Sequence, residues 1–138
     1  MKLSIHTAVA AATLAAVLSA CSNTQTAQNT QSGQTAQLAQ GVPIEFRLAP
    51  AAGNPSTCTQ IDAAMSRVHT VTPMGSEATI RSAGGINDTL KQTSPNIYTT
   101  QFQLGRVTLD VVADASRMPR TLSVTEPKLG CRWNAIAK

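Results

Sequence analysis

The alternation of apolar and polar residues is clearest in "NIYTTQFQLGRVTLDVVAD", which holds two strands and the turn between them. Tyr98, Thr100, Phe102 and Leu104 fall on one face of the first strand. Val107, Leu109, Val111 and Ala113 fall on one face of the second, the period-two pattern of half-buried strands. A two-residue turn at Gly105-Arg106, glycine first as a type II′ turn prefers, pairs Leu104 with Val107, Phe102 with Leu109, Thr100 with Val111 and Tyr98 with Ala113. Gln101, Gln103, Thr108 and Asp110 then share the opposite face. A slip of one residue would turn the second strand inside out, so the register is strongly specified.

The same alternation predicts further strands on either side. Over 42–48, Val42, Ile44, Phe46 and Leu48 take the even positions, and Pro43, without an amide donor, suits a strand start or edge. "APAAGNPS" reads as a loop. Residues 56–68 change period: Cys58, Ile61, Met65 and Val68 recur at steps of three and four, one face of a helix. Thr59 with Asp62 three later makes a capping-box-like start, while a strand over 68–71 competes for the helix end. "EATIRS" offers Ala78 and Ile80, and "GINDTLKQ" offers Ile86 and Leu90, whose faces agree if Ala83-Gly84-Gly85 is an odd-length loop. "TSPN" is a turn, "DASRMPR" a loop leading to Leu122 and Val124, and Glu126-Pro127 a strand end. Leu129, Cys131 and Trp133 alternate in a last strand. Together these elements predict an α+β domain over 41–138: a mostly antiparallel sheet of about six to seven strands, with one N-terminal helix, stapled by a disulfide.

The first 40 residues do not alternate. Met1-Lys2 is a short positive start, and 3–17 is apolar and alanine-rich, too short for a span of about 20 residues. This is the layout of a secretory signal peptide. Leu18-Ser19-Ala20-Cys21 closes it and resembles the lipobox of bacterial lipoproteins. The resemblance covers the leader alone. It implies that residues 1–20 are removed, that the Cys21 thiol carries a diacylglyceryl group, and that its new amine is acylated, for example by palmitate. Each buried CH₂ contributes roughly 0.8 kcal/mol, so two or three chains hold a protein firmly on a bilayer. Ser22 follows the cysteine in place of the aspartate that retains many such proteins in the inner membrane. The expected address is therefore the cell envelope, lipid-anchored in the outer membrane, with the domain facing the periplasm or the cell surface. Residues 21–40 are then the acylated cysteine and a tether of Ser, Asn, Thr, Gln, Ala and Gly with a single Leu38, too polar to bury surface against its ordering entropy. About 20 such residues reach about 25 Å.

Three cysteines would leave one thiol over in an exported protein, and acylation of Cys21 resolves the count. Cys58 at the helix start and Cys131 in the last strand remain as a disulfide pair, which suits an oxidising compartment. The bridge closes a loop of about 73 residues, worth about 4 kcal/mol in the chain-entropy account. Neither cysteine has a second ligand at metal-binding spacing, so no metal is expected.

Charge and chemistry narrow the function by exclusion. The 138 residues carry a formal charge of +4, spread without a run of like charges, and Phe46, Tyr98, Phe102 and Trp133 are the only aromatics. Nucleic-acid binding is not expected from so sparse a basic and aromatic surface. Outside the leader His69 stands as the one histidine, there is no nucleophile-elbow pattern, and Glu45, Asp110 and Asp114 are scattered. Gly84-Gly85 is a hairpin loop without the strand-to-helix context of a phosphate cradle. The expectation is a non-enzyme with no cofactor beyond the covalent lipid on Cys21. Arg117, Met118 and Arg120 share one loop, with Arg106 at the opposite end of the hairpin, and arginine and methionine are enriched at interfaces. That loop is the candidate partner-binding surface, while Trp133 is expected in the core beside the disulfide. Two classes of function remain. The first is a membrane-anchored binding module for a protein or envelope polymer, of which an inhibitor of a host or envelope hydrolase is one form, by analogy alone. The second is a carrier of a small apolar ligand in a cavity lined by Phe102, Leu109, Met65 and Ile61.

Overall fold

The computed structural model describes residues 38–138, so Cys21 and most of the expected tether lie outside the described residues. Nine strands form one sheet: β1 (Ile44–Arg47), β2 (Ala49–Pro50), β3 (Val68–Met74), β4 (Glu77–Ser82), β5 (Asn87–Ser94), β6 (Ile97–Leu104), β7 (Val107–Asp114), β8 (Thr121–Glu126) and β9 (Cys131–Ile136). A 3₁₀ turn (Ser56–Cys58) and helix α1 (Thr59–Met65) separate β2 from β3. The sheet order is β1-β3-β4-β5-β6-β7-β8-β9-β2, all antiparallel, so β3 to β9 form a meander whose two edges meet β1 and β2.

Those two strands are consecutive in the chain, and this closes the sheet into a near-complete barrel. Phe46 pairs with His69 of β3 on one side and bridges Ala137 on the other. Ala49 pairs with Asn134 and Pro50 with Trp133, in the same register as the Phe46–Ala137 bridge. That register sets Arg47 opposite Ile136 and Leu48 opposite Ala135. Closure removes the free edges that an open sheet of this size would expose.

Inward-facing residues fill the barrel. Trp133, Tyr98, Phe46, Leu48, Met65, Ile80, Leu90, Leu109 and Leu122 are fully buried. Each large apolar side chain so buried contributes roughly 1.5–3 kcal/mol. Cys58 and Cys131 form the expected disulfide, with Cα atoms 5.7 Å apart and both residues in the core.

The hairpin register is the one the alternation predicts, from Leu104–Val107 to Tyr98–Ala113, and Gly105 has the positive φ (62°) of its turn position. Ala83-Gly84-Gly85 is an odd loop: the Ser82 amide donates to the Ile86 carbonyl across it.

Other expectations are corrected. Nine strands replace six to seven, because the expected loop at 49–56 begins with β2 and because β3 takes the end of the expected helix. After Met65 the inward residues are His69, Val71 and Pro73, a period of two. Ladders to both β1 and β4 outweigh one more helical turn, so α1 has only seven residues. Leu129 lies exposed in the β8–β9 turn, not on the inward face of β9. At the start of the domain, Leu38 is buried in the core and the Gly75 amide donates to the Gln40 side chain, so packing reaches back beyond Gly41.

Candidate functional site

The residues singled out from the sequence occupy separate places. Helix α1 is held at its start by the disulfide and by the Trp133 indole N–H, which donates to Asp62 Oδ1 at 2.8 Å. Asp62 therefore completes no capping box. The N-cap Cys58 makes no side-chain bond, and the Thr59 hydroxyl donates to the Ser56 carbonyl instead. Trp133 is the core residue expected beside the disulfide, two positions from Cys131 on the same inward face.

His69 holds the other end of α1. It is 1% exposed, flanked in the sheet by Phe46 and Ser82, and its Nε2 lies 2.9 Å from the Met65 carbonyl oxygen. The carbonyl can only accept, so Nε2 carries the proton in the neutral tautomer, and Nδ1 is buried without a partner. Burial lowers its pKa, opposed by the bond to Met65. Neither ring nitrogen is hydrogen-bonded to a hydroxyl or carboxylate, the arrangement a catalytic base would need.

The three residues singled out in the 115–120 loop differ in exposure. Arg117 is exposed and lies 3.6 Å from Asp114, and Met118 is 67% exposed. Arg120 is half-buried instead; its carbonyl accepts from the Ala137 amide and its Nε is buried. The Asp114 carboxyl is held below its ordinary range chiefly by the Ser116 hydroxyl; burial opposes this, and the Ser116 amide and Arg117 add to the lowering.

Three of the four residues expected to line a carrier cavity are packed in the core. Leu109 and Met65 have no accessible surface, hence no water-sized void against them, and Ile61 is buried with them in the core. Phe102 alone is partly open.

Four depressions stand out on the surface of the described residues, of about 510, 340, 250 and 160 Å³; those of about 340 and 250 Å³ lie at the 92–95 turn and beside the 51–54 loop. The one of about 510 Å³ crosses the closure seam and is lined by Arg47, Thr121, Ser123, Asn134, Ala135 and Ile136. Thr121 pairs with Ile136, Ser123 pairs with Asn134, and Arg47 stands opposite Ile136. The long side chains of Arg47 and Ile136 thus rise beside the short ones of Thr121, Ser123 and Asn134, and the hollow follows from that difference. Among the described residues Arg47 has no carboxylate at salt-bridge distance. Sequence reasoning misses this groove because outward serines and threonines look like an ordinary solvated face. One signal was present: Ile136 falls on the outward phase of β9 with Arg132 and Asn134, and it is 61% exposed.

The depression of about 160 Å³ lies where β5 and β6 part, lined by Gly85, Ile86, Asn87, Asp88, Phe102, Gln103 and Leu104. Among the described residues no three His, Cys, Asp or Glu side chains cluster as a metal site would require, and no helix is long and apolar enough to cross a membrane. No family model, curated protein or solved structure matches this chain.

Proposed function

We propose that this chain is a lipid-anchored envelope protein whose barrel acts as a non-catalytic binding module, holding a segment of a protein or envelope polymer in the groove over the closure seam. The groove carries this reading: an open hollow of about 510 Å³ on a wall backed by a packed core. Its size falls in the usual range for ligand sites. Its chemistry is mixed: the Arg47 guanidinium suits an anionic group, Thr121, Ser123 and Asn134 donate and accept hydrogen bonds, and Ile136 offers an apolar contact. Because these groups stand on paired strands, little ordering would accompany binding.

The lipobox resemblance at Leu18-Ser19-Ala20-Cys21 supports the anchor and the envelope address. An acyl group at Cys21 and the polar stretch after it would keep the module within a few tens of ångströms of the bilayer. Inhibition of an envelope or host hydrolase is one form this binding could take.

Two measurements test the reading. Mass spectrometry should find acyl chains on Cys21, and a Cys21→Ser variant should move to the soluble fraction; an unmodified cysteine ends the anchor. Crosslinking in intact envelopes followed by pull-down should recover a partner with the natural chain. The Arg47→Ala/Asn134→Ala variant should recover at least tenfold less. Equal recovery, or none from either, rejects the groove.

A further inference from the structure

In the β5–β6 seam the ladder stops well short of the strand ends. Its pairs are Ser94–Ile97, Gln92–Tyr98 and Lys91–Thr99, with an irregularity near Gln92. Beyond Lys91, residues 87–90 pair only with β4, and residues 100–104 pair only with β7. Continued in register, Asp88 would face Phe102 and Ile86 would face Leu104, and those four residues line the 160 Å³ opening that stands in their place.

Asp88 gives the physical reason. It occupies an inward position, between the buried Ile86 and Leu90, where most of the sheet carries apolar groups. The buried polar residues of the sheet are His69 and Glu126, whose carboxylate ends β8 and accepts from the Leu129 amide. One carboxylate oxygen accepts from the Thr89 amide at 2.7 Å, and among the described residues no cation lies at salt-bridge distance. Zipping the seam would press this charge against Phe102 with no counter-ion, which costs far more than a few ladder bonds return. The strands part and water reaches the carboxylate.

The result is a slot with two facing strand edges, a mixed lining in which Ile86, Phe102 and Leu104 stand beside Asn87 and Gln103, and one uncompensated anion. We infer that this slot is a second docking site, distinct from the seam groove, and that it takes an extended peptide segment carrying a lysine or arginine. The segment's backbone pairs with a free strand edge, the mode by which a strand is added to a sheet. Its basic side chain enters the opening, laying its methylenes on Phe102 and Leu104 and its charge against Asp88. The opening, at 160 Å³, suits one long side chain and not a folded ligand.

The test uses the full chain, disulfide intact, ¹⁵N-labelled in detergent micelles. The probe is an acetylated and amidated seven-residue peptide of alternating valine and threonine with a central lysine. Its counterparts carry glutamate or norleucine at the centre, or N-methyl groups on alternate amides. The lysine peptide should bind at least tenfold more tightly than the glutamate and N-methylated peptides, with amide shifts confined to 87–90 and 100–104. Asp88→Asn should lower its affinity about tenfold and bring lysine and norleucine peptides together. Binding that is absent at millimolar peptide, indifferent to the central charge, unchanged in Asp88→Asn, or located at Arg47 overturns the inference. In the first of these cases Asp88 serves only to guard an edge. None of these outcomes bears on the groove, which the envelope pull-down tests separately.

Discussion

The indole N–H of Trp133, in the last strand, donates to the carboxylate of Asp62, in the only α-helix among the described residues, at 2.8 Å. The partners are 71 positions apart, and they stand next to the Cys58–Cys131 bridge. A covalent and a charge-assisted link thus hold the same helix turn on the same strand.

Trp133→Phe should therefore cost more than its change in volume. It removes a hydrogen bond to a charged group and leaves a carboxylate short of a donor, roughly 2–4 kcal/mol in all. Asp62→Asn keeps an acceptor and should cost about 1 kcal/mol or less. Urea midpoints of the two variants at neutral pH check the order, and equal losses would contradict it.

Loss of the disulfide acts on the unfolded chain. Replacing Cys58 and Cys131 together by alanine should lower stability by about 4 kcal/mol, the loop-entropy value for a closure of 73 residues. Reducing the natural chain should lower its denaturation midpoint to near that of the double variant.

His69 sets a pH dependence whose sign follows from its burial. Its folded pKa lies below 6.5 because desolvation disfavours the charged ring, while the unfolded chain titrates near the ordinary value. Between those values the unfolded state binds the extra proton, so stability is full above pH 6.5 and falls as the pH drops towards the folded pKa. Asp114, also lowered, acts only nearer its ordinary 3.8 and below. Thermal melts of the natural chain should thus decline from pH 7.5 to pH 5. His69→Gln should flatten that decline while lowering stability at pH 7.5 by about 1–2 kcal/mol, through the weakened bond to Met65.

Asp88→Leu should close the open seam. With the inward charge gone, residues 87–90 and 100–104 can complete their ladder, and their amides should exchange with solvent at least tenfold more slowly. Unchanged exchange would mean that the strands part for another reason than the carboxylate.

What could be read from residues alone was whatever depends on near neighbours in the chain. The β6–β7 register, the odd loop at 83–85 and the inward phases of Trp133 and Cys131 follow from alternation and turn chemistry, both local. The disulfide was legible because two of the three cysteines fell on predicted elements. The helix was legible but too long as read, since steps of three and four continue to Val68 where a strand begins. Closure was not legible: it depends on residues 44–50 meeting β3 and β9 at once, and nothing in Ile44 or Ala49 names partners so far along the chain. For the same reason the roles of Asp62 and His69, one holding Trp133 and the other the helix end, appear only when distant strands come together. The seam groove and the β5–β6 slot are tertiary too, one formed by long and short side chains on three strands, the other by an inward carboxylate without a counter-ion.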